Sequence, residues 1–302
     1  EVVRRVRPVE LRWYLASADN VKADPAAATR AAWQQLQQHG PMNWALLVSD
    51  FHADASQIEQ VLADEVPIPV VGGLAADDNR MHDSFVYANR EILRDSLAML
   101  GCQGDIAFEI DIGNTLPAVG SPGQIDDAAG AEVRQIDGLS AMDFIERETG
   151  KPVLQSDRGI VSLTIINPDA PSERKLRSIV PDFSTDAGHL GLYGGIETGK
   201  TVQVCLATPA QLLQEVDEIA ARAARAAFQP KAALIVSCGG RKQMLGPQIG
   251  NEISRLTGAF AERLPLAGFP SFGEIAPLQG PAGYTRNLFH NMTYVLLLLG
   301  DR

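Results

Sequence analysis

Ala232-Ala-Leu-Ile-Val-Ser-Cys-Gly-Gly-Arg241 carries the reading of this chain. Residues 232–237 hold no charge and do not alternate polar with apolar, which is the pattern of a short strand covered on both faces. Such a strand needs helices above and below it. Working outward, a helix over 209–228 precedes it, with Pro209 in the first turn and Leu212, Val216, Ile219, Ala220 and Ala223 at three- and four-residue steps. Before that helix lies a strand at 201–206. After the glycines come a helix over 246–262, the turn-rich Leu264-Pro-Leu-Ala-Gly-Phe-Pro-Ser-Phe-Gly-Glu-Ile275, and a strand at 292–299.

The same order stands in the first half. A strand at 11–17, an alanine-rich helix over 25–38, the apolar strand Trp44-Ala-Leu-Leu-Val-Ser49, and a helix over 56–65 lead to Pro67-Ile-Pro-Val-Val-Gly-Gly-Leu-Ala-Ala-Asp-Asp78. Strands at 84–90 and 92–100 follow. A pattern written twice predicts an α/β fold of two pseudo-symmetric lobes, each a mixed β-sheet flanked by helices, from a duplicated strand-helix-strand-helix-strand unit. Between the halves, 105–112 and 132–136 read as strands, 116–130 as a Pro/Gly/Asp-rich loop, and 140–148 as a short helix capped by Ser140. Further strands are expected at 159–166 and 176–179, around a loop at 168–173. The boundary falls near Gly138, giving domains 1–138 and 139–302.

At 302 residues the chain exceeds one ordinary core, in keeping with two domains. Hydrophobic residues at 45% and charged residues at 21% exclude a disordered chain. The formal charge of −11 argues against a nucleic-acid partner. The dense basic cluster Arg4, Arg5 and Arg7 reads as a solvated end. Cys102, Cys205 and Cys238, an odd number widely spaced, argue against a disulfide framework and for the cytoplasm. No apolar run approaches the ~20 residues of a membrane helix, so no membrane insertion is expected.

Cys238 to Arg241 lie at the carboxyl end of a strand, where open α/β sheets hold ligands. Cys238 reads as a small buried residue or as a reactive thiol. Arg241, beside Gly239 and Gly240, reads as a grip on a carboxylate or phosphate, or as a salt bridge to Glu274 or Glu252. Glu274, after the aromatic turn of Phe269 and Phe272, either receives an ammonium group or holds the turn. His290 and Asn291 enter the last strand, where a histidine is usually structural. His39, His52, His82 and His189 have no zinc spacing, so no metal site is expected. Gly72-Gly73 lacks the lysine of a phosphate loop.

Together these segments resemble the FIST domain family, in its N-type and C-type halves. The resemblance is carried by Val70-Val-Gly-Gly-Leu-Ala-Ala-Asp-Asp78, Ser237-Cys-Gly-Gly-Arg241, Asn251-Glu252, Ala267-Gly-Phe-Pro-Ser-Phe-Gly-Glu-Ile275 and Phe289-His-Asn-Met-Thr293. Family members usually open with a further α/β unit, and nothing before Leu11 matches it, so the first lobe is expected to be N-terminally shortened. The resemblance implies a non-enzymatic sensor in bacterial signal transduction, with a histidine kinase or chemotaxis receptor as partner and a small, amino-acid-like ligand. That ligand is expected between Cys238, Gly239, Gly240, Arg241, Phe269, Phe272, Glu274, His290 and Asn291. Some members are haem proteins that sense nitric oxide, so haem is the alternative cofactor, with His290 as axial ligand. Two further functions fit the same residues: a protein-interaction scaffold without a small ligand, and a cysteine enzyme using Cys238. A homodimer is the base-rate expectation.

Overall fold

The apolar runs of both halves come together in one sheet. The computed structural model describes residues 11–77, 80–168, 173–183, 186–260, 264–280 and 282–301; Arg4, Arg5, Arg7 and Asp78 lie outside the described residues. In chain order come β1 (Arg12–Asp19), α1 (Pro25–Gln37), β2 (Trp44–Ser49), α2 (Ala55–Glu65), β3 (Val70–Ala75), the hairpin β4 (Val86–Ala88) and β5 (Glu91–Leu93), and β6 (Ser96–Gln103). Next are β7 (Ala107–Gly113), β8 (Ala118–Ala129), β9 (Glu132–Ile136), β10 (Leu139–Ser140), α3 (Ala141–Thr149), β11 (Ser162–Ile166), β12 (Lys175–Pro181), β13 (Leu190–Leu192) and β14 (Thr201–Cys205). Last come α4 (Pro209–Ala223), β15 (Gln229–Cys238), α5 (Gly239–Leu245), α6 (Gly250–Gly258), β16 (Leu266–Gly280), β17 (Gly283–His290) and β18 (Tyr294–Asp301).

The main sheet runs β1-β6-β2-β3-β16-β15-β18-β7, with β17 added on β16. Its two ends carry one pairing pattern. β2 is parallel to β3 and antiparallel to β6, which pairs with β1. β15 is parallel to β16 and antiparallel to β18, which pairs with β7. The α/β class is as expected, and the two sets of strands meet where β3 pairs with β16. The place that β1 holds in the first set belongs in the second to β7. The strand expected there, 201–206, lies elsewhere, because a separate domain is inserted between β7 and α4.

β16 changes partners at a bend. Residues 266–271 run parallel to β15, and residues 274–280 run antiparallel to β17. Gly273 stands at the bend with φ of +129°, and a Cβ there would lie 2.2 Å from the Phe289 ring. Both the dihedral and the space exclude a side chain. The sheet therefore folds across itself: Ile110 N donates to the Tyr284 hydroxyl at 2.7 Å, bringing β7 over β17. Trp44, Val71, Ile110, Val236, Leu288 and Val295 fill the enclosed face.

Helices cover the other face. α1 and α2 bury Ala32, Leu36, Ile58 and Leu62 on Leu47, Val70 and Met99; α4 and α6 bury Val216, Ile219 and Leu256 on Ile235, Leu296 and Leu298. The caps are those the sequence marks. Asp24 accepts from Ala27 N before Pro25, Ser140 accepts from Asp143 N, and Thr208 forms a capping box with Gln211 before Pro209. The helix expected over 246–262 is a 3₁₀ turn at Gly246–Gln248 followed by α6, and the unexpected α5 precedes them directly after β15.

The inserted domain is a closed barrel. β8 pairs with β14, then β11, β12, β13 and β9 follow, and β9 returns to β8. α3 plugs it with Phe144 and Ile145 against Ile125, Val133, Leu163, Ile179 and Val202. Here the loop expected at 116–130 is mostly β8. Only two of its twelve residues, Gly123 and Ile125, are buried, so it lacks an apolar signature; both its edges are satisfied by backbone pairing. Pro122 sits where the pairing with β14 shifts register. Among the described residues no helix is long and apolar enough to cross a membrane.

Candidate ligand site

Two buried contacts dock the barrel on the sheet. Arg177 of β12, 1% exposed, donates to Glu59 of α2 at 2.8 Å and to Phe289 O at 2.6 Å, while Lys175 donates to the other Glu59 oxygen at 2.8 Å. Burial alone would raise the Glu59 carboxyl, but Arg177 and Lys175 hold it below the ordinary carboxylate value. The second contact is Asn291, which accepts from Ser178 N at 3.0 Å and donates to His290 O at 3.0 Å.

Beside Asn291 the two domains leave a cavity of about 230 Å³. Cys238 and Phe272, at the carboxyl ends of the parallel pair β15 and β16, form its floor with Gly240 and Gln243 of α5. The barrel supplies Gln155, Arg158, Gly159, Ser178 and Tyr193, and the first half of the chain supplies Met81. Asp77, from the Gly72-Gly73 motif, fixes Met81 there by accepting from the N–H groups of Met81, His82 and Asp83 at 2.8, 2.6 and 3.1 Å. Gly72 and Gly73 themselves pair with Ile275 and Glu274 inside the sheet. α5 approaches the barrel so closely that a Cβ on Gly240 would lie 2.3 Å from Gly159 O and 2.5 Å from the Met292 sulfur. A larger cleft of about 520 Å³ between α2 and the barrel is lined by charges that already pair: Lys175 with Glu59, Arg286 with Glu173, Lys200 with Glu197.

Of the nine residues expected at the site, Cys238, Gly240, Phe272 and Asn291 line the cavity. The other five do not. Arg241 is 0% exposed and spends its guanidinium on the protein: Nε donates to Glu252 at 2.8 Å, Nη1 to Glu215 at 2.6 Å and Nη2 to Leu212 O at 2.9 Å. Glu215 also accepts from Thr115, and Glu252 from Ser237, so the network is closed. Arg241 thus binds α5 to α4 and α6, and the salt-bridge reading holds, with Glu252 and Glu215 as partners. Gly239 opens α5 in contact with Phe272, and Phe269 packs into the enclosed face of the folded sheet.

Glu274 is 0% exposed, accepting from Ser271 Oγ at 2.8 Å and from Thr293 N and Oγ1 at 3.2 and 2.7 Å. It holds the bend and does not reach the cavity. Burial pushes its carboxyl up to about 7, against the lowering effect of donors from Thr293, Ser271 and Cys238. Burial likewise pushes the neighbouring Cys238 thiol well above its ordinary value, so the thiol stays protonated.

His290, also 0% exposed, donates from Nε2 to Ala276 O at 3.1 Å; its Nδ1 is buried without a partner. Burial pushes it down to about 4, which leaves it neutral. It neither lines the cavity nor faces a slot for a macrocycle, and no described histidine lines the cavity. A hollow of about 230 Å³ lies below the ~300–1,000 Å³ of ordinary ligand sites, and the Cys238 thiol is a poor donor while protonated. The residues present do not fit haem. Among the described residues no cluster of His, Cys, Asp and Glu could hold a metal ion.

Arg158, Tyr193, Gln155 and Met81 were not legible as site residues. The segment at Arg158 drew no reading beyond a strand expected from residue 159, and the barrel's docking brings Arg158 into one cavity wall with Cys238. Arg158 Nε donates to the Tyr193 hydroxyl at 3.2 Å.

Residues 7–139 match the FIST N domain, and residues 141–277 match the FIST C domain. Two curated relatives from Mycobacterium tuberculosis are 24% identical to the chain over 255 residues. They are the uncharacterized proteins MT0656 (strain CDC 1551 / Oshkosh) and Rv0628c (strain ATCC 25618 / H37Rv). The match covers 81% of this chain and 64% of each relative, so the chain spans about two thirds of their length.

Proposed function

Because this chain belongs to the FIST family, whose domains are sensors in signal transduction, we propose that it binds a small molecule in the cavity between barrel and sheet and passes that event to a signalling partner. The observation that carries the reading is the construction of the cavity. Three separate parts of the chain meet there: the Met81 loop, the barrel, and the strand ends at Cys238 and Phe272. A ligand touching all three changes how the barrel sits on the sheet, which is the mechanical requirement of a sensor. The ligand is compact. The amino-acid-like ligand loses both its expected anchors, since Arg241 and Glu274 are sealed inside the protein.

Binding, not catalysis, is the proposed activity, since the one thiol in the wall is held protonated. The partner proposed is a histidine kinase or chemotaxis receptor, and the cytoplasm is the proposed location. The reading is tested with Gln243→Trp, which fills the cavity from an exposed helix position. A small metabolite that raises the melting temperature of the wild type should leave the variant unmoved, and co-purification with the kinase should depend on that metabolite. Equal stabilisation of both proteins would place the ligand elsewhere.

A further inference from the structure

We infer that the ligand is a small organic anion without an ammonium group, its carboxylate received by Arg158 and Tyr193 of the barrel. This rests on the sensor reading of the cavity and names its ligand class.

The cavity wall contains one arginine and neither Asp nor Glu. Among the other buried or half-buried arginines, Arg177 is bound to Glu59, Arg241 to Glu215 and Glu252, and Arg134 to Glu132, while Arg174 donates to Thr164 Oγ1 and Leu116 O. Half-buried Arg158 has no carboxylate partner among the described residues, although Asp and Glu outnumber Lys and Arg by 37 to 26. Its Nε is turned to the Tyr193 oxygen, which leaves the two terminal nitrogens of the fork to face a ligand. Two parallel N–H bonds from such a fork match the geometry of a carboxylate. Tyr193 accepts from Arg158, so its own O–H remains to donate to the same anion.

The opposite wall presents no carboxylate to a cation. Glu274 stands behind Cys238, with both oxygens taken by Ser271 and Thr293. Asn291 has its side-chain oxygen filled by Ser178 N. An ammonium group entering here would lose its water and meet no carboxylate. Phe272 and Met81 supply apolar contact for the body of the ligand. At about 230 Å³ the cavity has room for roughly eight waters' worth of liquid, which limits the ligand to the size of a benzoate or a short keto acid.

The test compares benzoate and pyruvate with benzamide and pyruvamide, neutral molecules of nearly the same shape, by isothermal titration calorimetry of the full chain. Each acid should bind at least about tenfold more tightly than its amide, the worth of a charge-assisted pair in a partly buried site. Arg158→Gln should erase that ratio, and Arg158→Lys should keep part of it. Amide binding equal to acid binding, or an unchanged ratio in Arg158→Gln, overturns the anion assignment and leaves the sensor reading standing. If neither acids nor amides bind and Gln243→Trp alters no metabolite's effect, both fall.

Discussion

Glu274 and His290 are buried ionisable groups whose opposed shifts hide one another, and Glu274→Gln should expose the second. Glu274 titrates at about 7 in the folded protein against an ordinary 4.5. The folded state thus holds a proton that the unfolded state has released, and stability falls as pH rises from 4.5 to 7. Each pKa unit is worth about 1.4 kcal/mol, so the change is about 3 kcal/mol. His290 titrates at about 4 against an ordinary 6.5. Below 6.5 the unfolded chain takes up a proton that the buried ring refuses, so stability falls as pH drops from 6.5 to 4, again by about 3 kcal/mol. Between pH 4.5 and 6.5 the two slopes oppose and cancel. Gln at 274 fits the same contacts, its amide oxygen accepting from Thr293 and its NH₂ donating to Ser271. The variant should then gain about 3 kcal/mol of stability from pH 4.5 to 6.5 beyond any change in the wild type. Urea unfolding at pH 4.5, 5.5, 6.5 and 7.5 measures it. A Glu274→Gln slope equal to that of the wild type would refute the buried placement of Glu274, and a variant with no rise from pH 4.5 to 6.5 would refute that of His290.

Other expectations concern the joint and its cavity. Arg241→Met should cost about 3–5 kcal/mol, because Glu215 and Glu252 are left as unpaired buried carboxylates, while ligand affinity of the folded protein is unchanged; a variant of full stability that no longer binds would return Arg241 to the site. Gly240→Ala should weaken ligand binding and lower stability by about 1–3 kcal/mol, since the new methyl meets Gly159 O; unchanged affinity on calorimetric titration would show that α5 does not set the cavity. Anionic ligands should bind less tightly as pH rises through 7 and Glu274 ionises behind Cys238, and Glu274→Gln should flatten that profile. Added haem should give no histidine-ligated Soret band that disappears in His290→Ala.

The main sheet was legible because its strands are buried on both faces and announce themselves as apolar runs at 44–49 and 232–237. The barrel was not. Its β8 exposes most of its side chains and looks like a loop. The strand at Thr201–Cys205 alternates polar and apolar residues and pairs inside the barrel, but its place directly before α4 gave it the position of a main-sheet strand in the repeated order. The site divided the same way. Glycines and Phe272 near a strand end point to a cavity on chemical grounds alone. Whether Arg241 faces a ligand or Glu215 depends on α4, twenty-six residues away in sequence. Arg158 is the converse case, a residue brought into the cavity wall by the barrel's seating on the sheet.

Six methionines make the most direct measurement simple, since each ε-methyl gives one resonance and only Met81 lines the cavity. In a ¹³C-methyl-methionine spectrum titrated with the bound small molecule, Met81 should move most and Met292, in contact with Gly240, should follow. Met42 and Met99, buried in the core under α1, should stay in place. Binding that shifts Met42 or Met99 and leaves Met81 fixed would contradict a ligand site between barrel and sheet.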